Sequence, residues 1–294
     1  MPVVMTLVVA GSRPSGPSPE LLAAIEGPLR AGAVRLVVAS ARPPVDTIAA
    51  LDGVDWLEIE SSEATIPRLR GRALAHAQGR WVAFTEDFCV PAPGWTEALL
   101  RRLEDTSAAA VGGPVDRRDG HPRDWALTFV EYGRCLAAPA AGPVERLPEI
   151  NLAYDLETLQ RHFGKRLDEV APSAIDAALR GAGETFWYEP EMLMIDASAR
   201  AFWPSCRALF DHGRLWGGGS WRGRSGVLRA ARLAATPALA LLSLLRIARG
   251  AHHARRLGRL MICLPWVLAL QVCWSLGEAM GTLLGPGASA TRWR

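Results

Sequence analysis

The chain has 294 residues, enough for a large α/β domain of about 200 residues plus a smaller appendage. With 49% hydrophobic and 21% charged residues it can bury a substantial core, which excludes a disordered chain. Its net charge is +3, Lys165 is the sole lysine, and the five cysteines show neither CxxC nor paired spacing. A disulfide scaffold and a structural zinc site are thereby excluded, and a reducing compartment is expected.

Residues 1–10 are apolar without a basic leading region and run directly into a strand pattern, so they do not read as a signal peptide, and the N-terminal domain is expected to stay in the cytoplasm. Residues 3–10 form the first predicted strand, opening into the loop Gly11-Ser12-Arg13-Pro14. Residues 19–30 place Leu21, Leu22, Ile25 and Leu29 at helical spacing behind Ser18 as N-cap, and residues 34–39 return to an apolar strand. A further strand is expected at 56–59, a helix at 67–78 ended by Gly79, and a buried strand at 81–84 running into Thr85-Glu86-Asp87. Such alternation implies a mostly parallel sheet. Ligands of open α/β sheets bind outside the carboxyl ends of the strands, so the loops after Ala10, Ala39 and Phe84 are the first places to look for chemistry.

Beyond Pro93-Gly94-Trp95 the pattern predicts a helix through Leu103, a strand at 108–111 broken by Gly112-Gly113-Pro114, and irregular chain from 116 to 148. Helices are expected at 151–163 and 172–180 and a strand at 185–188, after which periodicity fades until about Trp221. The hydrophobic tail then changes the composition. Residues 233–245 and 260–277 carry no charge, while 246–259 is crowded with arginines. The second run approaches the roughly 20 residues a bilayer crossing needs, and the first is shorter. Two full crossings would strand Arg246, Arg249, Arg255, Arg256 and Arg259 on the outer side, against the positive-inside tendency. The first helix is therefore expected in the cytoplasmic interface, with its arginines and His252 and His253 toward anionic headgroups. The reading divides the chain into a large α/β domain, residues 1–220, and membrane-associating helices, residues 221–294.

Arg70-Gly71-Arg72-Ala73, the run Gly79-Arg80-Trp81-Val82-Ala83-Phe84-Thr85-Glu86-Asp87-Phe88-Cys89-Val90-Pro91 and Pro93-Gly94-Trp95 together resemble the central signature of family 2 glycosyltransferases. Val111-Gly112-Gly113-Pro114, Asn151-Leu152-Ala153-Tyr154 and the tail from Gly277-Glu278 to Gly285-Pro286-Gly287 continue the resemblance over most of the chain. The resemblance implies an α/β fold of the GT-A type, a Rossmann-like mostly parallel sheet with helices on both faces. It further implies transfer of a sugar, with inversion, from a nucleotide-diphospho-sugar to a lipid-linked or cell-envelope polysaccharide acceptor. The expected setting is the cytoplasmic membrane with the catalytic domain on the cytoplasmic side, and nucleic acid is not an expected partner.

Departure of a nucleoside diphosphate calls for a divalent cation between protein carboxylates and phosphate oxygens. By the resemblance Glu86 and Asp87 would hold Mg2+ or Mn2+, joined by Asp196 where the family places a histidine. Ser12 and Arg13, with Arg68, Arg70 or Arg72, would face the donor, and Asn151 the acceptor. Three departures stand out: Phe88 fills the family's last aspartate position, Asp196 fills that of its histidine, and Ala171-Pro172 fills the position of its general base. Asp168 or Glu169, or Asp176 within the following helix, are the substitutes in reach. These departures motivate a second reading, a degenerate transferase acting as a binding or scaffold subunit at the membrane.

Overall fold

The computed structural model describes residues 3–11, 16–41, 54–59, 65–136, 140–164 and 172–289. Contacts divide the chain into two units, Met1–Asp116 with Ala138–Ala197, and Arg117–Ala137 with Ser198–Arg294. The boundary expected near residue 220 thus falls after Ala197. The reason is that two helices, Pro122–Tyr132 and Phe202–Ser220, spend their apolar and small-residue faces on the long C-terminal helix Leu257–Leu284.

In the first unit, β1 (Met5–Gly11), β2 (Val34–Ser40), β3 (Val54–Glu58) and β4 (Trp81–Glu86) form the parallel half of an eight-stranded sheet. The sheet continues through β9 (Leu152–Asp155), β6 (Ala110–Gly112), β10 (Phe186–Tyr188) and β8 (Gly142–Val144), in the order β3-β2-β1-β4-β9-β6-β10-β8. β9 runs antiparallel to both β4 and β6, and β10 returns parallel to β6. β-Branched, fully buried runs such as Val8-Val9 and Val37-Val38 suit strands covered on both faces. Helices Ile66–Leu74, Leu156–Phe163 and Pro172–Gly181 bring Leu69, Ala73, Leu159, Ile175 and Leu179 onto Val8, Val82 and Phe84. Pro19–Arg30 and Trp95–Glu104 contact β2 and β6. Ser18 caps its helix as expected, accepting from the Leu21 amide at 3.1 Å. A three-stranded sheet, β5 (Cys89–Pro91), β11 (Met194–Asp196) and β7 (Val115–Asp116), completes this unit. The expected α/β architecture is what the structure shows.

Two expectations change. The segment 151–163 is not one helix: residues 152–155 are the antiparallel strand that joins the two halves of the sheet, and the helix starts at Leu156 behind Asp155, whose carboxylate accepts from the Thr158 amide. Residues 116–148, expected to be irregular, contain the helix Pro122–Tyr132, opened by a capping box between His121 and Asp124 with proline in its first turn.

The second unit is helical. Where periodicity fades in the sequence, Phe202–Ser220 forms a 19-residue helix. It runs parallel to Leu257–Leu284 along a seam of small residues. A Cβ at Gly277 would fall 2.0 Å from the Phe210 carbonyl, at Gly281 2.1 Å from that of Arg214, and at Gly217 2.2 Å from that of Glu278. Only glycine permits so close a backbone approach. The other end of the long helix packs Leu260, Cys263, Val267 and Leu270 with Trp125 and Phe129. The first hydrophobic run is resolved into Gly226–Ala234 and Thr236–His253, which meet at a bend of 53°. Among the described residues one helix, Leu257–Leu284, is long and apolar enough to cross a membrane.

Candidate active site

The site is built at the carboxyl edge of β1 and β4. Their register pairs Ala10 with Glu86, so the turn after Glu86 crosses the end of β1. Asp87 in that turn is 6% exposed, and its carboxylate lies against Gly11: a Cβ there would sit 2.0 Å from Asp87 Oδ2. Glycine at the end of β1 is therefore what lets Asp87 occupy this edge.

The three-stranded sheet brings a third carboxylate to the same turn. Asp196, 1% exposed, is the register partner of Cys89, and the Ala197 amide donates to the Phe88 carbonyl at 3.3 Å. Burial, then the negative charges of Glu86 and Asp196, push the Cys89 thiol far above its ordinary pKa, so it is a neutral, inert group. Glu86, Asp87 and Asp196 thus gather around residues 86–89. Among the described residues no group of three or more His, Cys, Asp or Glu could hold a metal ion, so Glu86, Asp87 and Asp196 do not form a three-carboxylate site. Magnesium and manganese at phosphate sites commonly take one or two carboxylates, with substrate oxygens and water completing the shell. The hard oxygens of Asp87 and Asp196 fit that pattern, and Phe88 supplies no ligand.

Arg70 and Arg72 part company because residues two apart on a helix point in nearly opposite directions. Arg70 is buried and donates from Nη2 to Glu86 at 2.9 Å and from Nη1 to Glu149 at 3.3 Å, whereas Arg72 is on the exposed face. Arg70 thereby orients Glu86. Ser12, Arg13, Asp168 and Glu169 lie outside the described residues. Asp176, the remaining candidate base, accepts a hydrogen bond from the Tyr154 hydroxyl. Burial raises its pKa to about 6; the Tyr154 bond works against that rise, and the neighbouring Glu149 adds to it.

Asn151 is fully buried and its amide is spent inside the protein. Trp95 Nε1 donates to Asn151 Oδ1 at 2.9 Å, and Asn151 Nδ2 donates to the carbonyls of Pro114, at 2.9 Å, and Met192, at 2.5 Å. Three separated motifs, Pro93-Gly94-Trp95, Gly112-Gly113-Pro114 and Asn151-Leu152-Ala153-Tyr154, therefore meet at one side chain. A Cβ at Gly113 would fall 2.2 Å from the Met192 carbonyl, so glycine is what lets that loop close onto the tie. The expected contact of Asn151 with an acceptor gives way to this positioning role.

A sheet with parallel strands β3-β2-β1-β4, continued by antiparallel β9, and with carboxylates at the β4 edge, has the architecture of the GT-A fold. Residues 67–148 match the family model described as glycosyl transferase family 2, so this part of the chain is similar to that family of enzymes. Among solved structures it is similar to the mannosyltransferase PcManGT from Pyrobaculum calidifontis in complex with GDP-Man and Mn2+. That likeness has 17% identity and a TM-score of 0.55, covers 97% of this chain and 89% of that one, and establishes the fold. Weaker likenesses extend to a mycobacterial protein (16% identity, TM-score 0.45, 68% of each chain) and to GalNAc-T7 with UDP, GalNAc and Mn2+ (12% identity, TM-score 0.48, 66% of this chain and 44% of that one). No curated protein sequence matches the chain.

Proposed function

We propose that the chain moves a sugar from a nucleoside-diphosphate donor to a lipid-linked or cell-envelope polysaccharide acceptor, with inversion, at the cytoplasmic face of the membrane. The observation that carries the reading is the Asp87 carboxylate seated on Gly11 at the carboxyl edge of parallel strands, with Asp196 in register with Cys89 two residues further on. In open α/β sheets this edge is where ligands bind. Mg2+ or Mn2+ held by Asp87 and Asp196 would carry the charge of the departing diphosphate. Glu86, fixed by Arg70, would shape the site, and Ser12, Arg13 and Arg72 would meet the donor.

The acceptor hydroxyl oxygen attacks the anomeric carbon as the bond from that carbon to the diphosphate oxygen breaks. Its proton passes to a carboxylate, for which Asp168 and Glu169 are proposed. The apolar helix Leu257–Leu284 supports membrane attachment. The test is nucleoside diphosphate release by the full chain, supplied with Mn2+, UDP- or GDP-linked sugars and a polyprenyl phosphate acceptor. Release that requires acceptor and metal, and that falls about 100-fold in Asp87→Asn, is expected. Release indifferent to chelator and to Asp87→Asn contradicts the assignment, and donor binding without turnover contradicts the proposed transfer.

A further inference from the structure

The long helix Leu257–Leu284 passes the length and hydropathy test for a membrane span, yet its neighbours are those of an in-plane helix. Along its C-terminal half runs Phe202–Ser220, in parallel and in backbone contact at Gly277 and Gly281. That partner carries Arg207, Asp211, His212 and Arg214. Its Asp211, 4% exposed, accepts from the Ser289 hydroxyl, and its His212 packs edge-on to Trp274 of the long helix. The long helix itself carries Glu278, bonded to Arg232. A bilayer core that took Leu257–Leu284 end to end would have to take these ionisable groups at the same depth, where charge is strongly disfavoured.

The exposed part of the long helix is a stripe. Leu268, Val272, Leu276, Met280 and Leu284 recur every fourth residue and stay exposed. One side of the helix is thus open along its length while the other is covered, which is the pattern of a helix lying in an interface. Leu268, Val272 and Leu276 border an apolar groove of about 380 Å3 whose other wall is Leu233, Pro237 and Leu244. The stripe is therefore continuous with the apolar start of Thr236–His253, where Leu239, Leu241, Leu242 and Leu245 are exposed. The same exposed face turns basic in the second half of that helix, at Arg246, Arg249, His252 and His253. From Arg222 to Arg259 the chain holds nine arginines and no acidic residue, so the polar border of this apolar face has one sign. Arg256 and Arg259 stack on Trp125. Arg246, Arg249 and Arg255 are exposed.

We propose that the helical unit seats in one leaflet of an anionic bilayer, with Leu257–Leu284 lying in the interface plane and Arg246, Arg249 and Arg255 on the lipid headgroups. The proposal deepens the membrane attachment described above and rests on it; it replaces a crossing with a monotopic seat.

The experiment uses the full chain. Flotation is measured with vesicles of phosphatidylcholine alone and with a quarter phosphatidylglycerol. Gly258→Cys and Ala288→Cys, exposed positions at the two ends of the long helix, are then labelled with a membrane-impermeant maleimide on sealed vesicles. Flotation with the anionic vesicles is expected, weakened at least about 10-fold when Arg246, Arg249 and Arg255 are all changed to Glu. Both cysteines should label from the same side. Labelling from opposite sides overturns the in-plane seat while leaving membrane attachment intact. No flotation with either vesicle overturns both. Binding equal with and without phosphatidylglycerol overturns the headgroup assignment.

Discussion

Gly11 and Asp87 are matched to one another: the Cβ that any other residue would add at Gly11 falls 2.0 Å from Asp87 Oδ2 and 2.1 Å from its carboxyl carbon. A carboxylate therefore reaches the edge of the sheet only because the last residue of β1 has no side chain. Gly11→Ala is expected to displace Asp87 and abolish metal-dependent donor binding at least about 10-fold, with little change in far-UV circular dichroism. Calorimetric titration of the variant with nucleoside diphosphate and Mn2+ checks it.

Arg70 and Glu86 should be coupled energetically, because the buried guanidinium is bonded to Glu86 at 2.9 Å and to Glu149 at 3.3 Å. Arg70→Met alone removes a buried charge and the guanidinium bonds to Glu86 and Glu149, with an expected loss of about 3 kcal/mol. In a double-mutant cycle with Glu86→Gln, chemical denaturation should return a coupling of about 1–3 kcal/mol.

Asn151→Ala deletes an acceptor for the Trp95 indole and donors for two buried carbonyls. The expected cost is about 3 kcal/mol, since buried groups left unsatisfied each cost about 1–3 kcal/mol. A fall in Tm accompanied by loss of near-UV signal from Trp95 is the predicted readout.

Asp176 carries a pH signature. Its pKa rises from 3.8 to about 6 on burial, so the folded chain holds a proton that the unfolded chain releases between those values. Its contribution is most favourable below about pH 4, is lost as pH rises to about 6 and stays lost above that. Asp176→Asn keeps an oxygen for the Tyr154 hydroxyl and removes the charge, so it should be more stable than the parent at pH 8, by about 3 kcal/mol, and equal to it at pH 4. Urea unfolding at the two pH values measures the difference.

The glycines of the second unit separate two effects. At Gly277 a Cβ meets the Phe210 carbonyl at 2.0 Å, whereas at Gly219 nothing lies within 4 Å. Both are helical. Gly219→Ala should gain up to about 1 kcal/mol from helix propensity, and Gly277→Ala should lose more than that by forcing the helices apart. Thermal melts of the two variants are predicted to move in opposite directions.

The parallel half of the sheet and its carboxylates are legible because buried parallel strands are continuous apolar runs and the loops that end them stand out as polar. The rest is hidden for identifiable reasons. Phe202–Ser220 mixes Arg207, Asp211, His212 and Arg214 with Gly217-Gly218-Gly219, which read as breakers in isolation; Gly217 faces the long helix and Gly218 the turn at Gly285-Pro286 that follows it, so the signal was in the partner. The antiparallel strand 152–155 is too short to show a period and flows into a helix. The tie at Asn151 joins residues 56, 37 and 41 positions away in the chain, a relation no local pattern carries. Pro122 with His121 and Asp124 was a readable helix start.

The account rests on a divalent cation bound through Asp87 at the β1–β4 edge. Titration of the full chain with UDP and with GDP, each in the presence and absence of Mn2+, should show binding of one nucleotide that needs the metal and disappears in Asp87→Asn. Binding of neither nucleotide, or binding that survives Asp87→Asn unchanged, would contradict it.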